Sequence, residues 1–303
     1  MQEKAIKFIP DLLVGTSDYL IGRAVTRSRK LNIVRGFEPS AHMSFALTIW
    51  RRDANISLKV VYSSGAYDIW SIMRYWINIY DDIIDASREK FPTIRDLKHR
   101  HIDGKYQSNE VTSSLVQRIG KLVPDRSIRN DIYKILGGFR RFQYEVNHTI
   151  LLGIIAGDVD AIEGRKLESS GDVMGMMVKV VNKMVRMDPD LSKHIEDGNV
   201  NYSRAGQWID DLGDFSGDNG DPANLIVNAS KRYDDEFGVL RRNKFKQSAL
   251  KSAPKTMRYV DEQIIKEINR IPDDLVHTRR SLEFFYKFIK FYSAFETRKH
   301  IIK

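Results

Sequence analysis

Apolar residues recur at three- and four-residue intervals along most of the chain, the spacing that places side chains on one face of an α-helix. The segment from Ile69 to Ile84 carries one such stripe, and residues 281–296, "SLEFFYKFIKFYSAFE", carry another. Strand-like alternation is scarce, and only eight prolines interrupt 303 residues. The pattern therefore predicts an all-α protein, a bundle of about ten helices.

Composition adds limits to this picture. No repeat, low-complexity linker or break in composition divides the sequence, so we expect a single domain over residues 1–303. The absence of cysteine excludes disulfides, thiolate metal sites and a thiol nucleophile. The longest apolar run, "TILLGIIAG" at 149–157, is too short to span a membrane, and the first residues do not resemble a secretory signal. We expect a soluble, cytoplasmic protein.

The formal net charge is +9, with basic clusters at 95–105 and 241–255. Neither cluster interleaves aromatic residues at the spacing of a single-strand stacking platform, and neither matches a nucleic-acid-binding motif, so we expect no nucleic-acid partner. Solvated loops are the simplest interpretation of both clusters. Attraction of a phosphorylated substrate, or peripheral contact with an anionic membrane, is the alternative.

A first cluster of carboxylates interrupts this basic chain in "NIYDDIIDASREK", residues 78–90. Arg74, Asn78, Asp81 and Asp85 are spaced by four, three and four residues, so they share one stripe of a predicted helix, and Asp82 adds a third carboxylate. Like charges this close repel one another. A cationic partner would offset that repulsion.

A second cluster lies in "QWIDDLGDFSGDNGD", residues 207–221. Asp210, Asp214 and Asp218 would form a column if this segment were helical, although Gly213 and Gly217 each cost a helix about 1 kcal/mol. One acidic cluster alone is typical of a solvated face. Two clusters instead favour Mg²⁺, which binds one or two carboxylates together with substrate phosphates. The pair therefore predicts several Mg²⁺ ions that grip a diphosphate.

These motifs resemble those of the class I isoprenoid synthases. "DDIID" is similar to their DDxxD motif, and the cluster at 210–218 falls where they keep a second metal motif. The resemblance implies one helical bundle around a central cavity, Mg²⁺ as cofactor and a prenyl diphosphate as substrate. It also implies that Asp81, Asp82 and Asp85 take part in catalysis. Six carboxylates would bind metal: Asp81, Asp85, Asp210, Asp211, Asp214 and Asp218.

The branch within this superfamily is less sharply defined. "DDLGDFSGD" followed by "GDPANLIV" resembles the terpene-synthase motif (N/D)D-x-x-(S/T)-x-x-x-E and its sequel, with Asp214 and Asp218 in place of Ser/Thr and Glu. "GQWIDDLGDFSGD" is also similar to F-Q-x-x-D-D-x-x-D-F-T-G-D of chain-elongating trans-prenyltransferases. Those enzymes usually carry G-G-K-x-x-R-P near the N-terminus, and "GRAVTRSRK" (22–30) is a poor match.

"GRKLESSG" places Arg165 where terpene synthases keep a diphosphate-sensing arginine. The resemblance therefore favours a terpene-synthase-like lyase that cyclises or eliminates from an allylic cation. Chain elongation or another prenyl transfer is the alternative. A third hypothesis is a non-catalytic partner subunit, suggested by the altered residues 214 and 218.

Further cations are candidates for the diphosphate. Besides Arg165, which is also a predicted catalytic residue, these are Lys179, Arg298 and Lys299. Lys179 is equally consistent with an exposed lysine, and the pair at 298–299 with a helix end whose dipole favours cations. The fold resembled here often forms dimers, so a homodimer is a further expectation.

Overall fold

The structure is a computed structural model that describes residues 47, 49–73 and 117–299. The described ranges contain helices and no strand, which confirms the predicted all-α class. Residues 49–53, 66–73 and 117–122 are helical. The labelled elements of the described ranges are α1 (Leu58–Ser63), α2 (Arg126–Ala156), α3 (Val159–Met184), α4 (Pro189–Gly213), α5 (Leu225–Ser230), α6 (Asp234–Arg242), the 3₁₀ helix Gln247–Ser252, α7 (Pro254–Asn269) and α8 (Val276–Lys299).

The chain divides into two compact units. The first comprises Met1–His148 and Gly175–Glu196, and the second comprises Thr149–Met174 and Asp197–Lys303. All the boundaries fall inside helices rather than in linkers, so the single-domain organisation stays a prediction. None of the described helices is long and apolar enough to cross a membrane.

Apolar stripes and a few buried polar contacts hold the first unit together. The indole nitrogen of the fully buried Trp50 donates to Oδ1 of Asn182 over 2.8 Å, and the amide of Asn182 donates to the carbonyl of Ser192 over 3.1 Å. Ile69 and Ile72, from the first predicted stripe, are fully buried. The part of that stripe beyond residue 73 lies outside the described residues.

In the second unit, the first half of α3 packs closely against α4. The Ser170 hydroxyl lies 2.8 Å from that of Ser203, and a Cβ added to Gly171 would come within 2.8 Å of Nε of Arg204. α5 is buried along its whole length. The predicted helix over 281–296 is confirmed within α8, where Tyr286 donates a hydrogen bond to Asp261 of α7.

A buried carboxylate from α6 caps the N-terminus of α7. Glu236 of α6 accepts hydrogen bonds from the backbone nitrogens of Lys255 and Thr256, each over 2.8 Å, and from the Thr256 hydroxyl over 2.7 Å. The first N–H groups of a helix lack partners within it, and a negative charge there also complements the helix dipole. Glu236 therefore serves as the N-terminal cap that the residue preceding α7, Ala253, cannot supply.

Candidate functional site

The second aspartate cluster lies at the end of α4, in the second unit. α4 ends at Gly213, and residues 214–220 continue as turns. The Asp214 nitrogen still donates to the carbonyl of Asp210, and the Asp218 nitrogen to that of Asp214, each over 2.9 Å. The four-residue column predicted from the sequence is thus continued by the backbone after the helix itself has ended. Residues 210, 214 and 218 are all exposed.

We call residues 214–221 the aspartate turn. Its last part is fixed by polar contacts: the Asp221 nitrogen donates to the Asp218 carbonyl, and the Ala223 nitrogen donates to Oδ1 of Asp221. Asn224, fully buried, donates to Oδ2 of Asp218 over 2.7 Å and to the carbonyl of Asp211 over 2.9 Å. Asn224 therefore ties a carboxylate of the turn to the last turn of α4.

Asp211 points away from the exposed column and into a hydrogen-bonded network. Its carboxylate accepts from Nζ of Lys166 over 2.7 and 3.0 Å, from Gln207 over 2.8 Å and from the backbone nitrogen of Leu225 over 2.6 Å. Only 6% of its side chain is exposed. Lys166 also donates to the carbonyl of Ala223 over 3.0 Å, so the three N–H donors of its ammonium group face three acceptor atoms.

The electrostatics of the turn favour a cation. Partial burial, and then the neighbouring carboxylates of Asp218 and Asp211, raise the pKa of Asp214 above its usual range. A carboxylate that is costly to ionise among other carboxylates becomes easier to ionise when a divalent cation binds. Among the described residues, however, no three Asp, Glu or His side chains converge closely enough to hold an ion by themselves.

Arg165 and Lys166 are consecutive on α3, in the same unit as the aspartate turn. Nη1 of Arg165 lies 2.6 Å from Oε2 of Glu168, and the Arg165 side chain is partly exposed. One turn further along α3, burial and then the carboxylate of Glu168 raise the pKa of Asp172, while Arg204 and Arg165 oppose that rise. This face of α3 therefore carries alternating positive and negative groups.

The other predicted cations have different surroundings. Lys179 belongs to the first unit and is exposed. The pKa of Asp131 is lowered chiefly by its hydrogen bond with Lys183, and the charge of Lys179 adds to this effect. The backbone of Arg298 and Lys299 forms the end of α8, and their side chains are not described. The first aspartate cluster, Asp81, Asp82 and Asp85, lies outside the described residues. The assignment of these residues stays a prediction.

A further polar cluster joins α3 to α7 within the same unit. Glu163, buried, accepts from Nη2 of Arg232 over 2.9 Å and from the hydroxyl of Tyr259 over 2.7 Å. Burial raises the pKa of Glu163, and the bonds from Tyr259 and Arg232 only partly offset that rise. The guanidinium of Arg232 also lies 4.8 Å from the centre of the Tyr259 ring. These contacts hold α3 in place beside the aspartate turn.

Sequence reasoning missed two residues of the site. Lys166 stood beside the predicted Arg165, but its contact with Asp211 joins positions 45 residues apart and follows no local spacing. Asn224 belongs to the "GDPANLIV" stretch, which the resemblance to terpene synthases had already singled out. That motif was a usable signal for Asn224. No comparable signal marked Lys166.

Comparisons with known proteins agree with this fold. No known family profile and no curated protein matches the sequence. Among solved structures, the chain is similar to the apo form of an Arabidopsis medium/long-chain length prenyl pyrophosphate synthase, with a TM-score of 0.57 and 12% sequence identity. The match covers 92% of this chain and 99% of that protein. The chain therefore has the all-α isoprenoid synthase fold that its motifs predicted.

Proposed function

We propose that this chain is a Mg²⁺-dependent enzyme that ionises an allylic prenyl diphosphate and transfers the prenyl group to an acceptor, as a prenyltransferase. The aspartate turn at the end of α4 is the observation that carries the proposal. It presents Asp214 and Asp218 beside the Lys166–Asp211 pair, on a fold similar to that of a prenyl pyrophosphate synthase. This similarity supports prenyl transfer, the alternative drawn from the sequence, better than the terpene-synthase reading.

The donor set of the turn fits Mg²⁺, a hard cation that prefers oxygen ligands and retains several waters. Asp210, Asp214 and Asp218 offer exposed carboxylates, and substrate phosphates would complete the coordination of an ion held there. The part of Asp81, Asp82 and Asp85 in metal binding stays a prediction from the sequence. When bound, Mg²⁺ would neutralise charge on the diphosphate and make it a better leaving group.

The positive residues of α3 have separate tasks. Lys166 directs its N–H groups at Asp211 and Ala223, so its role is to hold the end of α4 and the start of α5 in register. Arg165 is partly exposed and forms an ion pair with Glu168, one turn along the same helix. A diphosphate would compete with Glu168 for this guanidinium, which can bind phosphate oxygens in a bidentate manner. Among the residues that the structure describes, we therefore assign Arg165 to binding of the diphosphate leaving group.

The reaction needs only the allylic diphosphate and, for elongation, isopentenyl diphosphate. The bond between C1 and the bridging oxygen breaks, its electron pair stays on the diphosphate, and an allylic cation remains. In chain elongation, the double bond of isopentenyl diphosphate attacks C1 and the new cation then loses a proton. In cyclisation, a double bond of the same chain attacks instead, and the cyclic cation loses a proton. Either route releases diphosphate, and exclusion of water protects the cation.

Cyclisation stays a second candidate because Arg165 lies upstream of the aspartate turn at the distance typical of terpene synthases, and because no clear G-G-K-x-x-R-P segment is present. A non-catalytic partner subunit is a third, because Asp214 and Asp218 replace the usual residues of the terpene-synthase motif. Dimerisation and contact with a membrane surface stay predictions.

The test is diphosphate release by the purified protein with Mg²⁺ and allylic diphosphates of increasing length, with and without isopentenyl diphosphate, followed by mass analysis of the organic products. Release accompanied by longer chains only when isopentenyl diphosphate is present would support elongation. Release from the allylic substrate alone would favour cyclisation or elimination. Release under neither condition would refute both enzymatic readings.

Variants of the aspartate turn make the test specific. Asp214→Asn and Asp218→Asn should each lower turnover at least tenfold, because each removes a charge that we assign to metal binding. Asp190→Asn is the matched control, since Asp190 is an exposed aspartate in the first turn of the same helix. Equal losses in all three variants would contradict a specific role for the turn.

A further inference from the structure

One aromatic ring contacts both ends of the aspartate turn. The Phe245 ring lies edge-on to the ring of Phe215, with centroids 6.1 Å apart and planes at 76°, and Phe215 is fully buried near the start of the turn. At the other end, a Cβ added to Gly220 would overlap the Phe245 ring, with Cδ2 only 2.5 Å away. The ring therefore occupies the space that any other residue at 220 would need.

An unusual backbone delivers this ring. Lys244 and Phe245 follow one another with φ values of 53° and 50°, in the left-handed region that side chains other than glycine seldom adopt. The Phe245 nitrogen donates to the carbonyl of Leu240 over 2.9 Å, so the end of α6 fixes the conformation. Backbone strain of this kind persists only where the surrounding structure requires it. Here the conformation ends α6 and directs the Phe245 ring towards the aspartate turn.

A third contact is made with α4, the helix that precedes the aspartate turn. Gln247, buried two residues after Phe245, donates from Nε2 to the carbonyl of Leu212 over 3.0 Å. Segment 245–247 thus contacts the last turn of α4, the start of the aspartate turn and its end. Asp218 lies between Phe215 and Gly220, the two residues that the Phe245 ring contacts. Asp214 lies between Leu212, which Gln247 contacts, and Phe215.

We propose that Phe245 is a positioning residue that sets the geometry of the aspartate turn for binding a Mg²⁺–diphosphate complex. This inference rests on the proposed function. Residues 241–246 are the first part of the basic cluster 241–255, for which a solvated loop was the simplest interpretation. Their charged side chains are exposed, while the Phe245 ring packs against the aspartate turn and supports it. The same contacts could instead serve only to stabilise the fold, and the two roles differ in what they do to ligand affinity.

The experiment measures binding of inorganic diphosphate in the presence of Mg²⁺ by calorimetry, together with the melting temperature with and without these ligands. The variants are Phe245→Ala, the milder Phe245→Leu, Gly220→Ala and the Gly220→Ala/Phe245→Ala double change. Ile264→Ala, a change of a fully buried residue on α7, is the control for lost stability.

If Phe245 positions the turn, Phe245→Ala and Gly220→Ala each weaken diphosphate binding at least tenfold, and Phe245→Leu weakens it less. The double variant binds no more weakly than the worse single one, because both changes disrupt one contact. In turnover assays, the Mg²⁺ concentration for half-maximal rate rises by a similar factor. Ile264→Ala lowers the melting temperature and leaves the affinity within twofold of wild type.

Variants that melt earlier but bind within twofold of wild type would overturn the positioning role while leaving the proposed function intact. Should Phe245→Ala fail to fold, Phe245→Leu decides the question by the same criterion. Wild-type protein that neither binds diphosphate with Mg²⁺ nor turns over a prenyl diphosphate would refute the proposed function, and this inference with it.

Discussion

Replacing Lys166 with methionine tests the hydrogen-bonded network that supports the aspartate turn. The change keeps the length of the side chain and removes its charge, leaving the Asp211 carboxylate, 6% exposed, with Gln207 and the Leu225 nitrogen as its donors. Removing one partner of a buried ion pair costs about 3–5 kcal/mol. Because Lys166 itself is 22% exposed, water already screens part of the attraction, and we expect the lower end, about 3 kcal/mol.

In chains of about 150–250 residues, 1 kcal/mol shifts the melting temperature by about 2–4 °C, and the shift decreases with size. The lower value suits this longer chain, so Lys166→Met should melt about 6 °C lower. The assay is denaturant and thermal unfolding followed by far-ultraviolet circular dichroism, without Mg²⁺ or diphosphate, so that ligand binding cannot contribute. Lys183→Met on the same helix is the matched control. Lys183 pairs with Asp131, but both side chains are more exposed, at 43% and 30%, so about 0–1 kcal/mol should be lost.

A double variant completes the cycle. Lys166→Met combined with Asp211→Leu removes both charges, and we expect it to recover a large part of the stability, since an apolar pair of similar volume often replaces a buried ion pair without loss. A Lys166→Met protein as stable as Lys183→Met would refute the argument. So would a double variant whose loss equals the sum of the two single losses.

Three other predictions concern the elements that support the site. Glu236→Gln should lower stability by about 2 kcal/mol, because an amide cannot replace all the bonds of the carboxylate that caps α7, and an unchanged melting temperature would contradict the cap. Because burial raises the pKa of Glu163, folding favours its protonated form. Wild type should therefore lose stability relative to Glu163→Gln as the pH rises from about 4 through that raised pKa. A difference in unfolding free energy that does not change with pH would contradict this. Gly198→Ala should destabilise by about 1–3 kcal/mol, since its Cβ would overlap Leu275, whereas Gly164→Ala, with open space around it, should stabilise its helix by about 1 kcal/mol in the same thermal assay.

Local spacing accounts for what could be predicted of the fold. The stripe in residues 281–296 repeats with the period of a helix, and that period is a property of the helix itself, so α8 followed from it. The column of Asp210, Asp214 and Asp218 was predicted in the same way. Gly213 was expected to weaken the helix there, and α4 indeed ends at that residue.

The motifs predicted more about the fold than the periodicity did. "DDIID" and "GQWIDDLGDFSGD" predicted the isoprenoid synthase fold, and the structural comparison confirmed that fold at an identity of only 12%. They did not separate the branches of the superfamily. The terpene-synthase and prenyltransferase motifs share the aspartates that bind metal, and differ in positions where this chain follows neither pattern fully.

Residue spacing and motifs were enough to predict that the chain is helical, where its carboxylates cluster and which superfamily it resembles. The pairing of Asp211 with Lys166, 45 residues away, came from the folded arrangement, as did the exposure of Asp214 and Asp218. The same holds for the contact of Phe245 with Gly220. Side-chain period is fixed within one helix, whereas a contact between distant segments depends on the register in which whole elements pack, which no local spacing encodes.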